Sequence, residues 1–88
     1  MKKKERKIYV IGINSFIYED LSEEVQELFN KVRNIAAPNT FLNEIKEWVS
    51  MKLITDKNFY KSKSNIDLIN WLKFINDDVI LVSRGDPL

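Results

Sequence analysis

Short, nearly uninterrupted apolar runs alternate with helix-spaced apolar stripes along this chain. That alternation restricts its folds more than any other feature. Ile8-Tyr9-Val10-Ile11-Gly12-Ile13 and Val79-Ile80-Leu81-Val82 read as strands buried on both faces, the mark of a parallel sheet. Asn34-Ile35-Ala36-Ala37, closed by Pro38, reads as a second strand, and Lys52-Leu53-Ile54-Thr55 as a weaker third. Between them lie three helical stripes. Ser22 is a good N-cap for the first, with Glu23 and Glu24 in the opening turn, and Val25, Leu28, Phe29 and Val32 share one face. Asn39 or Thr40 is expected to cap the second, whose apolar positions are Phe41, Leu42, Ile45, Trp48 and Val49. Ser64 with Asp67 three residues on resembles a capping box for the third, which carries Ile66, Leu68, Ile69, Leu72 and Ile75. Strand and helix thus alternate three times before a final strand. This predicts an α/β fold: a mostly parallel sheet of about four strands, near 7–13, 34–37, 52–55 and 79–83, with right-handed crossovers and three flanking helices.

Composition then limits the chemistry. At 88 residues the chain supports one modest core, burying about 60–65% of the unfolded surface. It has no Cys and no His, which excludes a disulfide framework, a thiolate nucleophile, a structural zinc site and a Ser-His-Asp triad within these residues. Charge is uneven. Residues 1–7 carry five positive charges against one negative, and the remainder nine against twelve. Residues 1–6 are expected to be a basic, disordered arm and 7–88 the α/β domain. An acidic body argues against a nucleic-acid-binding domain. Only six residues, Ile8 to Ile13, form the apolar run behind the arm, too few for a secretory signal or a membrane-spanning helix, so a cytoplasmic location is expected. Residues 1–5 and the Lys-rich stretch 57–63 are expected to be the least ordered segments.

In a parallel sheet all strand C-termini lie on one edge, where open α/β sheets bind ligands. The loops after the first and fourth strands both emerge there. Gly12-Ile13-Asn14-Ser15-Phe16 has one glycine where a dinucleotide fingerprint has three, and lacks the Gly-Lys-Ser/Thr of a phosphate loop. Alone, Gly12 reads as strand termination with tight packing. Arg84-Gly85-Asp86-Pro87 is more informative. A Gly–Asp–Pro turn exposes backbone N–H groups beside a carboxylate, a pairing suited to the carboxylate and ammonium of an amino-acid moiety. It reads equally as a βα turn with Asp86 capping a following helix. Trp48 and Trp71 fall within helical patterns as packing residues, and Asp77-Asp78 as a turn.

Taken together, the two loops carry a family resemblance. Lys7 to Ile13, followed by a loop and by Asp20-Leu21-Ser22 opening a helix, resembles the start of the tetrapyrrole (corrin/porphyrin) methylases. There the first strand ends in a GxGxG-type loop and Leu-Thr opens the first helix. Val79 to Leu88 resembles their second motif, a strand ending in (Ser/Gly)-Gly-Asp-Pro. Ile35-Ala36-Ala37-Pro38-Asn39-Thr40-Phe41-Leu42 is similar to the corresponding segment of one subfamily, the precorrin-6Y/cobalt-precorrin C5-methyltransferases of cobalamin (vitamin B12) synthesis. The resemblance spans 7–88. Asn14 and Phe16 stand where the family usually has glycine, Ser15 where it often has proline, and Arg84 in place of a small residue.

The resemblance implies the N-terminal half of a tetrapyrrole methylase fold, S-adenosylmethionine as methyl donor and a precorrin as substrate. Arg84, Gly85 and Asp86 would border the methionine part of the donor, and Gly12, Asn14 and Ser15 would floor the cleft. It implies no catalytic side chain and no metal, because an electron-rich tetrapyrrole carbon attacks the sulfonium methyl directly. Family members continue through the GDP loop into a second α/β domain. The expectation is therefore an N-terminal piece ending within that motif, which binds the donor weakly or not at all by itself and self-associates as a homo-oligomer, a dimer. The alternative is a non-catalytic α/β interaction module that keeps the fold and dimerises, which the departures at Asn14, Ser15 and Phe16 favour. A nucleotide-binding α/β domain is a third option, without a phosphate loop to support it.

Overall fold

The apolar run expected to open the sheet does so as β1 (Ile8–Ile13), in a computed structural model that describes residues 6–61 and 64–84. It is followed by α1 (Glu23–Lys31), β2 (Asn34–Ala37), α2 (Asn39–Ser50), β3 (Asn58–Lys61), α3 (Asn65–Phe74) and β4 (Val79–Arg84). The four strands form one sheet in the order β1-β4-β2-β3, every neighbouring pair parallel. Fold class and alternation are thus as read from the sequence.

The helix signals act much as their chemistry dictates. Ser22 Oγ accepts from the Val25 N–H at 3.2 Å and starts α1, and Ser64 Oγ accepts from the Asp67 N–H at 3.1 Å and starts α3. For α2 the expected cap is corrected: Pro38 holds the N-cap position and no side chain closes the first turn. Proline presets φ near −60° and the chain turns straight from β2 into the helix, leaving Asn39 and Thr40 inside it.

The third strand is displaced from its expected place. Residues 52–55 form the turn that ends α2, and the strand is Asn58–Lys61, inside the stretch expected to be loop. Lys52 takes a left-handed φ of 63°. Its N–H bonds the Val49 carbonyl at 3.0 Å, and the Leu53 N–H bonds the Trp48 carbonyl at 2.9 Å. This is a Schellman closure, with lysine where glycine is usual. It turns Ile54 into the core, so the apolar pair Leu53-Ile54 serves a helix end and not a ladder. Of the segments expected to be disordered, residues 1–5 and 62–63 lie outside the described residues. Arg6 is tied down, its guanidinium donating to the Leu72 and Ile75 carbonyls at the end of α3.

The strand connections run in one direction from β1 to β2 to β3, and the last returns to β4. Right-handed crossovers therefore place α1 and α2 on one face and α3 on the other. The core lies between the sheet and the α1/α2 pair. Ile11, Ile13, Ile35, Ile80 and Val82 point into it from the strands, and Phe29, Val32, Leu42, Ile45 and Trp48 from the helices. Trp48 gathers Phe29 edge-on at 5.4 Å and Tyr18 edge-on at 5.4 Å.

The α3 face is thinner. Tyr60 of β3 stacks on Trp71 at 4.5 Å, with 9° between the rings. Leu68, Trp71 and Leu72 are half-buried, while Ile66 and Ile69 of the expected stripe stay exposed. Docking through Trp71 rotates the helix so that its contact line runs through 68, 71 and 72. At the N-terminal edge of the sheet the buried Asn34 donates to the Asp78 carbonyl at 3.0 Å and accepts from the Asn58 amide at 2.9 Å, tying β2 to β3 and to the entry of β4.

Candidate functional site

The sheet brings together two loops that are about seventy residues apart in the chain. Because β1 and β4 are parallel neighbours, Gly12 pairs with Ser83 and Ile13 with Arg84. Gly12 is exposed, its missing side chain leaving the strand end open beside Ser83. Asn14 follows in an exposed bend. Ser15 is half-buried, its Oγ accepting from the Ile17 N–H at 3.2 Å, so the hydroxyl is partly engaged in its own loop. Arg84 is exposed at the end of β4. Of the six residues singled out, Gly12, Asn14, Ser15 and Arg84 thus share one edge of the sheet. Gly85 and Asp86 lie outside the described residues.

Phe16 explains how this loop is held. Its ring meets Phe41 edge-on at 4.9 Å, and its carbonyl accepts from Trp48 Nε1 at 3.1 Å. Two anchors on α2 thus fix the segment one residue after Ser15. The adjoining groove, about 340 Å³ between Phe16–Glu19 and the C-terminal half of α2, is lined by Tyr18, Glu44, Glu47, Trp48 and Met51.

The same edge carries positive character that the sequence hid. Lys61 ends β3 opposite Ala37, and α2 begins directly after β2 with an uncapped first turn and no acidic side chain in it. Its free N–H groups, the macrodipole and Arg84 all favour a carboxylate or other anion at this edge. A composition scan misses this because it depends on which strands lie side by side. The connections after β2 and β3 also leave towards opposite faces, which opens the sheet between Pro38 and Lys61.

Perturbed titration elsewhere is structural. Lys57 is held below the usual lysine range by burial, and its Nζ donates to the Val32 carbonyl at 2.8 Å, the Asn30 carbonyl at 3.2 Å and Thr55 Oγ1 at 3.2 Å. It caps the C-terminus of α1 at the opposite end of the strands. Tyr60 is raised above the usual tyrosine range, first by its hydrogen bond to Asp67, then by desolvation and by the carboxylate charge. That pair joins β3 to the first turn of α3. Among the described residues no cluster of three or more acidic side chains could hold a metal ion, and no helix is long and apolar enough to cross a membrane.

Compared with known proteins, the chain matches no family model, no curated protein and no solved structure. Function therefore rests on the residues and their geometry.

Proposed function

We propose that the chain is the donor-side α/β domain of an S-adenosylmethionine-dependent methyltransferase acting on a precorrin, of the precorrin-6Y C5-methylating kind. The observation that carries this reading is the β1–β4 pairing, which sets the Gly12–Ser15 loop beside Ser83 and Arg84 at the C-terminal edge of a parallel sheet. Those are the two loops on which the family resemblance rests. Arg84 and the uncapped start of α2 supply charge suited to the donor's carboxylate, and Gly12 admits the donor close to the backbone. Asn14 offers an amide to the ribose or the amino group. Methyl transfer from a sulfonium to an electron-rich carbon needs alignment in place of a side-chain nucleophile, and aligned reactants gain several kcal/mol over free encounter. This suits an edge with neither His nor Cys.

One wall leaves a small ligand largely hydrated, so binding by these residues alone is weak. The test is an NMR titration of the 88-residue chain with S-adenosylmethionine. The amides of Gly12, Asn14, Ser15, Ser83 and Arg84 should shift at millimolar donor, those of Lys57 and Asn34 should not, and Gly12→Val should abolish the effect. Shifts at Lys57 and Asn34 in place of this edge would sink the reading, as would no donor binding by a folded longer chain that carries the second domain.

A further inference from the structure

We infer that the outward side of α3 is a membrane-docking surface, and that its partner is an anionic lipid bilayer on which the helix lies flat. The inference does not depend on the methyltransfer reading.

α3 is apolar on both sides. Its inner line, Leu68, Trp71 and Leu72, is half-buried, with Trp71 stacked on Tyr60 of the sheet. The opposite arc holds Ile66, Ile69, Asn70, Lys73 and Phe74. Ile66 is 73%, Ile69 53% and Phe74 82% exposed. A surface helix keeps its outer face polar, and a helix that is apolar all round is normally covered. In a sheet with helices on both faces, the outer side of a helix meets no further layer of its own domain. Further strands would widen such a sheet sideways, beyond β1 or β3, and add nothing over α3.

Charge selects the cover. The outward arc carries one charge, Lys73, and no acidic side chain. The helix's own acid, Asp67, accepts from the Tyr60 hydroxyl on the sheet. At the C-terminal end of α3 the Arg6 guanidinium donates to the Leu72 and Ile75 carbonyls, which puts Arg6 beside the turn that carries Lys73 and Phe74. Lys7 follows Arg6, and Lys2, Lys3 and Lys4 precede it in the chain. The acids after the helix, Asp77 and Asp78, accept from the backbone N–H groups of Asp78 and Lys7. The six glutamates of the described residues all lie on α1, α2 or the segment just before α1, across the sheet.

The molecule is therefore two-sided, with an acidic α1/α2 side and an apolar α3 side rimmed by basic groups. Chain-wide composition hides this, because the two signs almost cancel at +1. An apolar helix face flanked by Lys and Arg is the chemistry of interfacial attachment: the face sinks among the headgroups and the cations meet anionic lipid. α3 has 10 residues and is about 15 Å long, too short to cross a bilayer and long enough to lie on one. In that pose the glutamates point away from the negative surface, and Gly12, Asn14 and Arg84 stay clear of the helix face.

Co-sedimentation with vesicles tests the inference. The chain should bind mixed phosphatidylcholine–phosphatidylserine vesicles at low salt, bind phosphatidylcholine alone roughly tenfold or more weakly, and dissociate at about 0.5 M salt. Ile66→Gln combined with Phe74→Gln should weaken binding roughly tenfold or more with an unchanged circular-dichroism spectrum. Lys73→Gln should weaken it about fivefold. Met51→Gln, which removes an exposed apolar side chain at the end of α2, should leave it unchanged. A folded chain that stays in solution beside anionic vesicles at low salt would overturn the inference and leave this face to a protein partner. So would a loss from Met51→Gln as large as that from the α3 double variant.

Discussion

Lys52 closes α2 with its backbone in the left-handed region. Its φ of 63° puts a β-carbon in the left-handed region, where an L-residue pays roughly 1–2 kcal/mol that glycine does not. The Schellman bonds of Lys52 and Leu53 hold it there. Lys52→Gly should therefore raise stability by about 1 kcal/mol, read as a shifted urea midpoint at constant slope. No glycine marks this helix end, so from sequence alone Lys52-Leu53-Ile54-Thr55 reads as a strand. Tyr60 makes a second prediction. Its folded pKa lies above the unfolded value of 10.0 because Asp67 holds the hydroxyl proton. The folded state keeps that proton longer, so this contribution is fully present below pH 10 and lost as pH climbs through the raised value. Lys57 works the other way, because its folded pKa lies below 10.5 and the unfolded chain binds more protons in that window. Comparing wild type with Tyr60→Phe cancels the lysine. The variant should show the smaller loss of stability between pH 9 and pH 11 in denaturant titrations.

Elements announced by local chemistry were legible, and those decided by long-range packing were not. Ser22 declared α1 through a hydroxyl that needs only its own first turn, and Ser22→Ala should cost about 1 kcal/mol by urea denaturation. β3 had no such announcement. Asn58-Phe59-Tyr60-Lys61 is polar at both ends, and it is a strand because Phe59 reaches the core, Tyr60 stacks on Trp71 and Asn58 bonds Asn34, all partners distant in sequence. Asn34 itself passed as an ordinary strand start, yet it is the one buried polar side chain among the described residues. Its amide satisfies Asp78 and Asn58 at once, and a one-residue slip of β2 would break both bonds. Asn34→Leu should cost roughly 2–3 kcal/mol, since the Asp78 carbonyl and the Asn58 amide would lose a buried partner. At the candidate site, the rule that strand C-termini share an edge picks out the loops that hold Gly12 and Arg84, and only the family resemblance gives those residues a role. The contribution of α2 was not legible, because the sequence suggested a side-chain cap that the structure lacks.

For the whole molecule, one core layer between the sheet and α1/α2 carries most of the stability, and α3 adds a thin second layer with Phe74 82% exposed. A domain of this size has about 5–15 kcal/mol in total. Phe29 is fully buried against Trp48, and Phe29→Ala should remove roughly 3–5 kcal/mol, enough to leave the variant partly unfolded at 37 °C by near-ultraviolet circular dichroism. The strand order also has a kinetic meaning. Among the described strands β1 pairs with β4 alone, so it waits for a strand made much later, and the loop closed when Asp78 Oδ1 accepts from the Lys7 N–H is 71 residues long. Long-range pairing of this kind slows folding relative to a fold built from local contacts. During synthesis a growing chain can assemble β2, α2 and β3 while β1 remains an unpaired apolar tail. Only the arrival of Val79–Arg84 draws it in, so β4 is the strand that converts a partial sheet into a fold.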